Sequence, residues 1–344
     1  MGLNFTIIER GSGIGGTWFW NTYPGIGCDV TSHLYSFSNY LNSNWSTKFP
    51  YGKEINNYLI RFWHYASLEK YTQLNSEVTK AFWNDKTNRW ELTTLSDGIE
   101  THEEFNWLIS CVGGLHRPNW IEIKGSDTFK GKRVHTAEWP EKVDFSGKRI
   151  GLIGTGASAV QVLPELIKSD CKGIVHFQRT PVYCMMRNQS YCWRPFQLLL
   201  SVYPFGILFR WFRYIGAESL FPMWRYYNGP LNRLAKWFYK WNVRRVINDK
   251  DVAEKVIPKY ALGCKRIVIS DHYYQSMNDA RYQLETDGIV SFSQTGLETK
   301  KAHHELDLII YATGFSLASN YDFVLNPCGL SKNVNLIVIL CYGM

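Results

Sequence analysis

The sequence predicts an α/β protein with a Rossmann-like dinucleotide-binding sheet, and three observations carry that prediction. In "KRIGLIGTGASAVQVLPELI" an apolar strand runs straight into Gly154-Thr155-Gly156-Ala157-Ser158-Ala159 and an amphipathic helix follows at once. The next strand, "GIVHFQRTP", brings Arg179 to a position 25 residues after Gly154, where a ribose-reading residue belongs. Near the start, "FTIIE" at 5–9 reads as another buried strand, one that ends in an acid, Glu9.

The elements follow in order. After "FTIIE" comes "RGSGIGGTWFW", in which Gly11, Gly13 and Gly16 spell G-x-G-x-x-G. A phosphate loop needs the strand to enter the first glycine and a helix to open at the last. Here Glu9 and Arg10 intervene, and Pro24, Gly25 and Gly27 leave no room for a helix of useful length. The spelling alone is weak, so another explanation is needed. Ile55, Leu59, Phe62 and Ala66 at helical spacing predict a helix from residue 52. Stretches around "EVTKAFW", "RWELTTL" and "WLISCVG", with "DKTN" and "SDG" as turns, predict an antiparallel meander. A connector, "GGLHRPNWIEIKG" then "FKGKRVHTAEWP", leads to the glycine loop. Residues 188–258 read as helical, aromatic and basic, broken by Pro195, Pro204, Pro222 and Pro230. "KRIVIS", "GIVSFS" and "LDLIIYATGF" return to strand.

At 344 residues the chain holds about two domains, and 45% hydrophobic with 20% charged residues excludes disorder. The formal charge of +8 suits anionic ligands such as phosphorylated cofactors, while no Lys/Arg block marks a nucleic-acid surface. Eight cysteines without C-x-x-C spacing read as isolated reduced thiols, not as a metal site, and favour a cytoplasmic setting. No apolar run reaches the roughly 18 to 20 residues of a spanning helix. The helical segment, with Trp211, Trp224, Trp237 and Trp241 beside Arg and Lys, could rest on a membrane surface; helix packing is the preferred reading.

Each glycine-loop residue has a chemical reason. Gly154 permits the tight turn, Gly156 lets the backbone approach a pyrophosphate, and Ala159 is small enough for close strand–helix packing. An Asp or Glu at the strand end would accept from a ribose 2′-hydroxyl, whereas Arg179 can grip a 2′-phosphate, which favours NADP over NAD. A solvated surface arginine remains the alternative on the residues alone.

Phe129, Gly131, His135, Trp139 and Pro140 then spell Phe-x-Gly-x-x-x-His-x-x-x-Trp-Pro just ahead of the glycine loop, and "ATGF" stands at 312–315. In these motifs the chain resembles the Baeyer–Villiger monooxygenases of the flavin-containing monooxygenase superfamily. The resemblance implies two Rossmann-like domains, one for FAD and one for NADP. It implies an FAD- and NADPH-dependent insertion of one oxygen atom of O2 into a ketone, through a flavin C4a-peroxide, to give an ester or lactone. N- or S-oxygenation, and an inactive NADP-binding fragment, stand as alternatives.

Carried over residue by residue, the resemblance makes Glu9 the ligand of the FAD ribose and places Gly16, Thr17 and Trp18 over the flavin. Gly154, Thr155, Gly156, Ala157, Ser158, Ala159, Arg179, Thr180, Thr313 and Gly314 fall at the cofactor. Lys265 assists Arg179 at the 2′-phosphate, Arg266 is the active-site arginine, and Asp29 orients it. His135 and Trp139 become positioning residues on a connector between domains. The substrate implied is a ketone or other lipophilic small molecule. The implied layout is a partial FAD domain at 1–142, an NADP domain at 143–187 and 259–320, a helical insertion at 188–258 and a shortened C-terminal segment at 321–344. The family's own first strand and glycine loop are expected ahead of "FTIIE".

Overall fold

A computed structural model describes residues 4–115, 117–220, 226, 229–316 and the strands Val324–Leu325 and Leu336–Val338. They gather into two units, Met1–Asn21 with Gly52–Pro118 and Phe315–Met344, and Thr22–Tyr51 with Asn119–Gly314.

In the first unit β1 (Ile7–Ile8) pairs in parallel with β2 (Thr72–Gln73) in a two-stranded ladder. "FTIIE" is therefore less a buried strand than expected: two residues pair, and Phe5 is exposed. The glycine turn that follows opens only a single helical turn, α1 (Thr17–Trp20). Helix α2 (Gly52–Tyr65) turns Ile55 and Tyr58 inward. The meander is β3 (Ser76–Asn84), β4 (Arg89–Ser96) and β5 (Ile99–Phe105), with Ala81, Trp83, Trp90 and Leu92 as its buried cluster. Its third strand is "IETHEEF", not "WLISCVG" as the alternation suggested. Leu108–Ser110 of the latter forms β6, which pairs in parallel with Leu336–Val338. The physical reason is that β5 is an exposed edge, so it is specified by pairing with β4 and carries no apolar face to read.

In the second unit five parallel strands make one sheet: β7 (Lys132–His135), β8 (Arg149–Ile153), β9 (Gly173–Phe177), β12 (Tyr282–Glu285) and β16 (Leu308–Tyr311), in the order β12-β9-β8-β16-β7. Strand β8 and strand β16 are buried nearly throughout, as central parallel strands are. Side chains alternate between two cores. Ile150, Leu152, Leu308 and Ile310 pack with α3 (Ala157–Lys168), while Ile153, Phe177, Ile309 and Tyr311 pack with Phe129, Phe292 and Leu297. Phe292 and Leu297 come from a small antiparallel sheet, β13 (Ile289–Ser293), β14 (Gly296–Thr299) and β15 (His303–Glu305). Strands β10 (Cys184–Met185) and β11 (Val268–Ile269) form a parallel pair, and β11 and the short helix α8 (Tyr273–Ser276) both pack on α3.

Two boundaries move. Residues 22–51 and 119–142, expected with the flavin domain, belong to the second unit, because "KRVH" of the fingerprint is strand β7 and pairs with β16. The fingerprint is thus part of the sheet, not a free connector. Residues 188–258 are helical as expected: α4 (Arg194–Ser201), α5 (Phe205–Glu218), α6 (Pro230–Val246) and α7 (Lys250–Lys255). The expected helix packing holds for part of the segment: Leu200 of α4 and Tyr239 and Val243 of α6 are buried and Phe196 of α4 packs on Phe209 of α5, while α5 buries none of its residues and Trp211, Trp237 and Trp241 are exposed. Trp224, Pro222 and residues 321–323 and 339–344 lie outside the described residues.

Candidate functional site

The glycine loop is built from two glycines with opposite reasons. Gly154 adopts φ +115°, and a Cβ there would stand 2.4 Å from the Ala312 carbonyl oxygen. Only glycine lets β8 turn this close to the end of β16. At Gly156, by contrast, nothing lies within 4 Å of where a Cβ would be. Gly156 is also the N-cap of α3, and no side chain caps that end. The first amide groups of the helix therefore point toward open space over a backbone that a ligand can approach closely, which is the geometry an anionic pyrophosphate needs. Ala159 is fully buried against the sheet.

Three interactions hold the loop still. Thr155 Oγ1 donates to the Thr180 carbonyl at 2.7 Å, tying the loop to the end of β9. His176 Nε2 lies 2.7 Å from the Gly154 carbonyl and its Nδ1 3.1 Å from the Tyr282 hydroxyl. Burial pushes His176 down to about 4, so it is neutral: Nε2–H donates to Gly154 and Nδ1 accepts from Tyr282. Sequence reading missed this histidine, which sits in the strand without any spacing to mark it.

Arg179 is exposed just past β9. Lys265, also exposed, places its Nζ 5.0 Å from the ring centre of Tyr260, and the Tyr260 hydroxyl donates to the Pro181 carbonyl at 3.1 Å. Tyr260 thus fastens the Lys265 segment to the Arg179–Pro181 turn. It too went unnoticed in the sequence, where a tyrosine five positions before the lysine carries no signal.

Arg266 and Asp29 stand 237 positions apart in sequence and form a forked ion pair. Arg266 Nε donates to Asp29 Oδ2 at 3.1 Å, and Nη2 reaches Oδ1 at 2.8 Å and Oδ2 at 2.7 Å. The aspartate side chain is mostly buried, yet that of the arginine stays 55% exposed. The guanidinium is thereby fixed in direction while part of it stays at the surface. The segment carrying Asp29 is clamped on α3: Gln161 Nε2 donates to the Gly27 carbonyl at 2.9 Å, and the Tyr23 hydroxyl donates to Gln161 Oε1 at 2.8 Å. Gly25, at φ +80°, is needed because a Cβ would meet the Gln161 carbonyl oxygen at 2.5 Å.

The fingerprint and the "ATGF" motif meet. His135 is wholly buried. Its Nδ1 accepts from the Ala137 amide at 3.0 Å, so its Nε2–H donates to Thr313 Oγ1 at 3.2 Å, and Thr313 donates on to the Asn119 carbonyl at 2.6 Å. Burial pushes this imidazole down to about 4. A neutral histidine with both nitrogens engaged holds geometry and moves no proton. Gly131 is enforced by Phe129, whose ring a Cβ would meet at 2.4 Å. Phe129 packs on Phe292, and Trp139, half-buried beside Pro140, packs on Phe145. Gly314 is at φ +80°.

In the first unit the Gly11–Gly16 turn is compact. The Gly11 amide donates to Glu9 Oε1 at 2.7 Å. A Cβ on Gly13 would stand 2.6 Å from the Phe19 ring, and one on Gly15, at φ +128°, 1.9 Å from Asn56 Oδ1. The space a phosphate would use in a working loop is filled by Phe19, so these glycines serve the turn itself. Gly16, at φ +52° and with nothing within 4 Å, is the open one, and it leads into Thr17 and Trp18. Arg10 lies over Trp20 at 5.0 Å. The residues present thus fit the ribose and ring end of a flavin nucleotide, and the described residues of this unit hold no pyrophosphate cradle.

Residues 1–340 match the family model of flavin-binding monooxygenase-like proteins. An FAD-binding monooxygenase of Aspergillus niger, ktnD, is 35% identical over 324 residues, which cover 90% of this chain and 52% of that protein. A Baeyer–Villiger monooxygenase of Pseudomonas aeruginosa is 32% identical, covering 91% and 59%. This chain spans between half and two thirds of the length of these relatives. Among solved structures, an oxidized steroid monooxygenase bound to NADP matches with TM-score 0.79 and 29% identity over 94% of this chain and 69% of that one. A cyclohexanone monooxygenase bound to epsilon-caprolactone matches with TM-score 0.82 and 25% identity, covering 97% and 77%.

Proposed function

This chain belongs to the flavin-binding monooxygenase-like family, and from that premise we propose that it serves an FAD- and NADPH-dependent Baeyer–Villiger oxidation, a ketone and O2 giving an ester or lactone. The observation that carries the reading is the half-exposed Arg266 held in a fork by Asp29.

The residues are assigned as follows. The amides of Ala157, Ser158 and Ala159 receive the NADP pyrophosphate across Gly156, and Arg179 with Lys265 receives the 2′-phosphate. Glu9 holds the FAD ribose, and Gly16, Thr17 and Trp18 border the ring. When bound, FAD supplies oxygen activation and NADPH the reducing equivalents. The protein's own contribution is the Arg266 guanidinium, whose positive charge would stabilise negative charge building on the reacting oxygens. Asp29 keeps the guanidinium aimed. His135 and Thr313 keep the end of β16 in register with the fingerprint strand. The free thiols Cys171, Cys184 and Cys264 favour a reducing, cytoplasmic setting.

The test is product analysis with a cyclic ketone beside a tertiary amine, after FAD is added. Lactone formation supports the proposal, and N-oxide alone assigns the amine-oxygenating reaction instead. Arg266→Ala is expected to lower turnover about 10²- to 10³-fold while NADPH binding is kept. Protein that stays colourless with FAD yet binds NADPH would reduce the reading to a nucleotide-binding module.

A further inference from the structure

Two of the insertion helices present a row of apolar side chains outward. Helix α5 turns its arginines toward the protein: Arg210 Nη1 donates to the His33 and Ser36 carbonyls at 3.1 and 2.8 Å, and Arg213 lines a cavity with His33 and Phe209. Ile207, Leu208, Trp211, Phe212 and Ile215, at helical spacing, are 39 to 69% exposed. Helix α6 packs one face in the core and carries a second apolar face outward. Asn232, Tyr239 and Val243 are buried, while Leu231, Leu234, Trp237, Phe238 and Trp241 face outward. A helix facing water carries the reverse pattern.

The charge is placed to match. Between 188 and 248 stand nine Lys and Arg and one acid, Glu218; Arg210 and Arg213 turn toward the protein, and five of the others, Arg233, Lys236, Lys240, Arg244 and Arg245, stand on α6. On α6, Arg233, Lys236, Lys240 and Arg244 recur at three- and four-residue intervals, which sets them along one flank of the apolar face, Arg244 being paired there with Glu254. Arg245 stacks over Trp241 at 4.9 Å. An apolar, tryptophan-rich face flanked by cations fits an anionic bilayer surface, where aromatic rings lie at the headgroup boundary and Arg and Lys meet lipid phosphates and carboxylates. A second copy of the chain fits less well, since it would bring two strongly cationic faces together. No helix among the described residues is long and apolar enough to cross a membrane, so the contact is one of lying on the surface.

We propose that α5 and α6 dock the protein on an anionic membrane surface. The test is co-sedimentation of the full chain with vesicles of phosphatidylcholine alone and of phosphatidylcholine with phosphatidylserine. Binding is expected with the phosphatidylserine vesicles, about tenfold or more above the neutral ones, and is expected to weaken with added salt. Trp237→Ser with Trp241→Ser, and separately Ile207→Ser with Trp211→Ser and Ile215→Ser, are each expected to reduce it about tenfold. NADPH binding serves as the folding control and is expected to hold in both. Absence of binding to either vesicle, or binding that both variants retain, overturns the proposal. A lipid-free dimer that the substitutions dissolve, without vesicle binding, also overturns it and assigns the face to a second copy.

Discussion

Gly154 and Gly156 stand two positions apart and are required for different things. Gly154 is required by the fold. Alanine there would meet the Ala312 carbonyl oxygen at 2.4 Å on a backbone at φ +115°. Gly154→Ala is therefore expected to lower the unfolding free energy by about 2 to 4 kcal/mol, read as a drop in the urea midpoint. Gly156 is required by the ligand. Its surroundings are open, so Gly156→Ala is expected to change stability by less than about 1 kcal/mol. The same methyl would stand where the pyrophosphate approaches, and NADPH affinity is expected to fall about tenfold or more. Equal stability losses in the two variants would contradict this division. The sequence displayed both glycines at the same motif positions; it could not display which neighbour each was avoiding, because Ala312 is brought there only by the pairing of β8 with β16.

At the scale of elements, the turn after β9 and the segment before β11 act together through Tyr260. Arg179→Ala is expected to raise the Kd for NADPH about 10- to 100-fold and to leave NADH nearly unchanged, measured by titration with both nucleotides. Tyr260→Phe removes the donor to Pro181 and is expected to weaken NADPH by a few-fold while sparing NADH. Equal losses for both nucleotides would remove the 2′-phosphate assignment. The elements that sequence reading found are those whose pattern chemistry or deep burial enforces: the glycine loop, the central strands β8 and β16, and helix α3. Three of the strands it missed lie at sheet edges. "IETHEEF", "YQLE" and "KRVH" carry charges and half-buried positions, since an edge strand shares only one ladder and packs incompletely. Residues 188–258 show a related limit. Their apolar spacing is visible in sequence, but which face points inward depends on Arg210 finding the His33 and Ser36 carbonyls.

For the molecule as a whole, acid sensitivity follows from three histidines of the second unit. His33, His135 and His176 are each held at about 4, chiefly by burial, with Arg213 adding to the effect at His33. In the unfolded chain each titrates near 6.5. Between about pH 6.5 and 4 the unfolded state therefore binds protons that the folded state refuses, so stability is full above pH 6.5 and falls as the pH drops through that window. Each histidine contributes at most about 1.4 kcal/mol per pH unit. Below about pH 4 a second loss begins, from Asp307 and Asp279, whose carboxyls are held low by Arg149 and Arg281. His33 is the informative one to replace. Its ring lies edge-on to Phe196 and Phe209, at 5.9 and 5.2 Å, and its Nε2 is buried with no partner among the described residues. His33→Phe would keep those ring contacts and discard the orphaned nitrogen, so it is expected to be near neutral at pH 7. At pH 5 it is expected to be more stable than the parent chain, because one of the three groups that favour the unfolded state in acid is gone. Urea midpoints at pH 7, 6 and 5 decide the matter: parallel profiles for the two proteins would show that His33 does not carry its share.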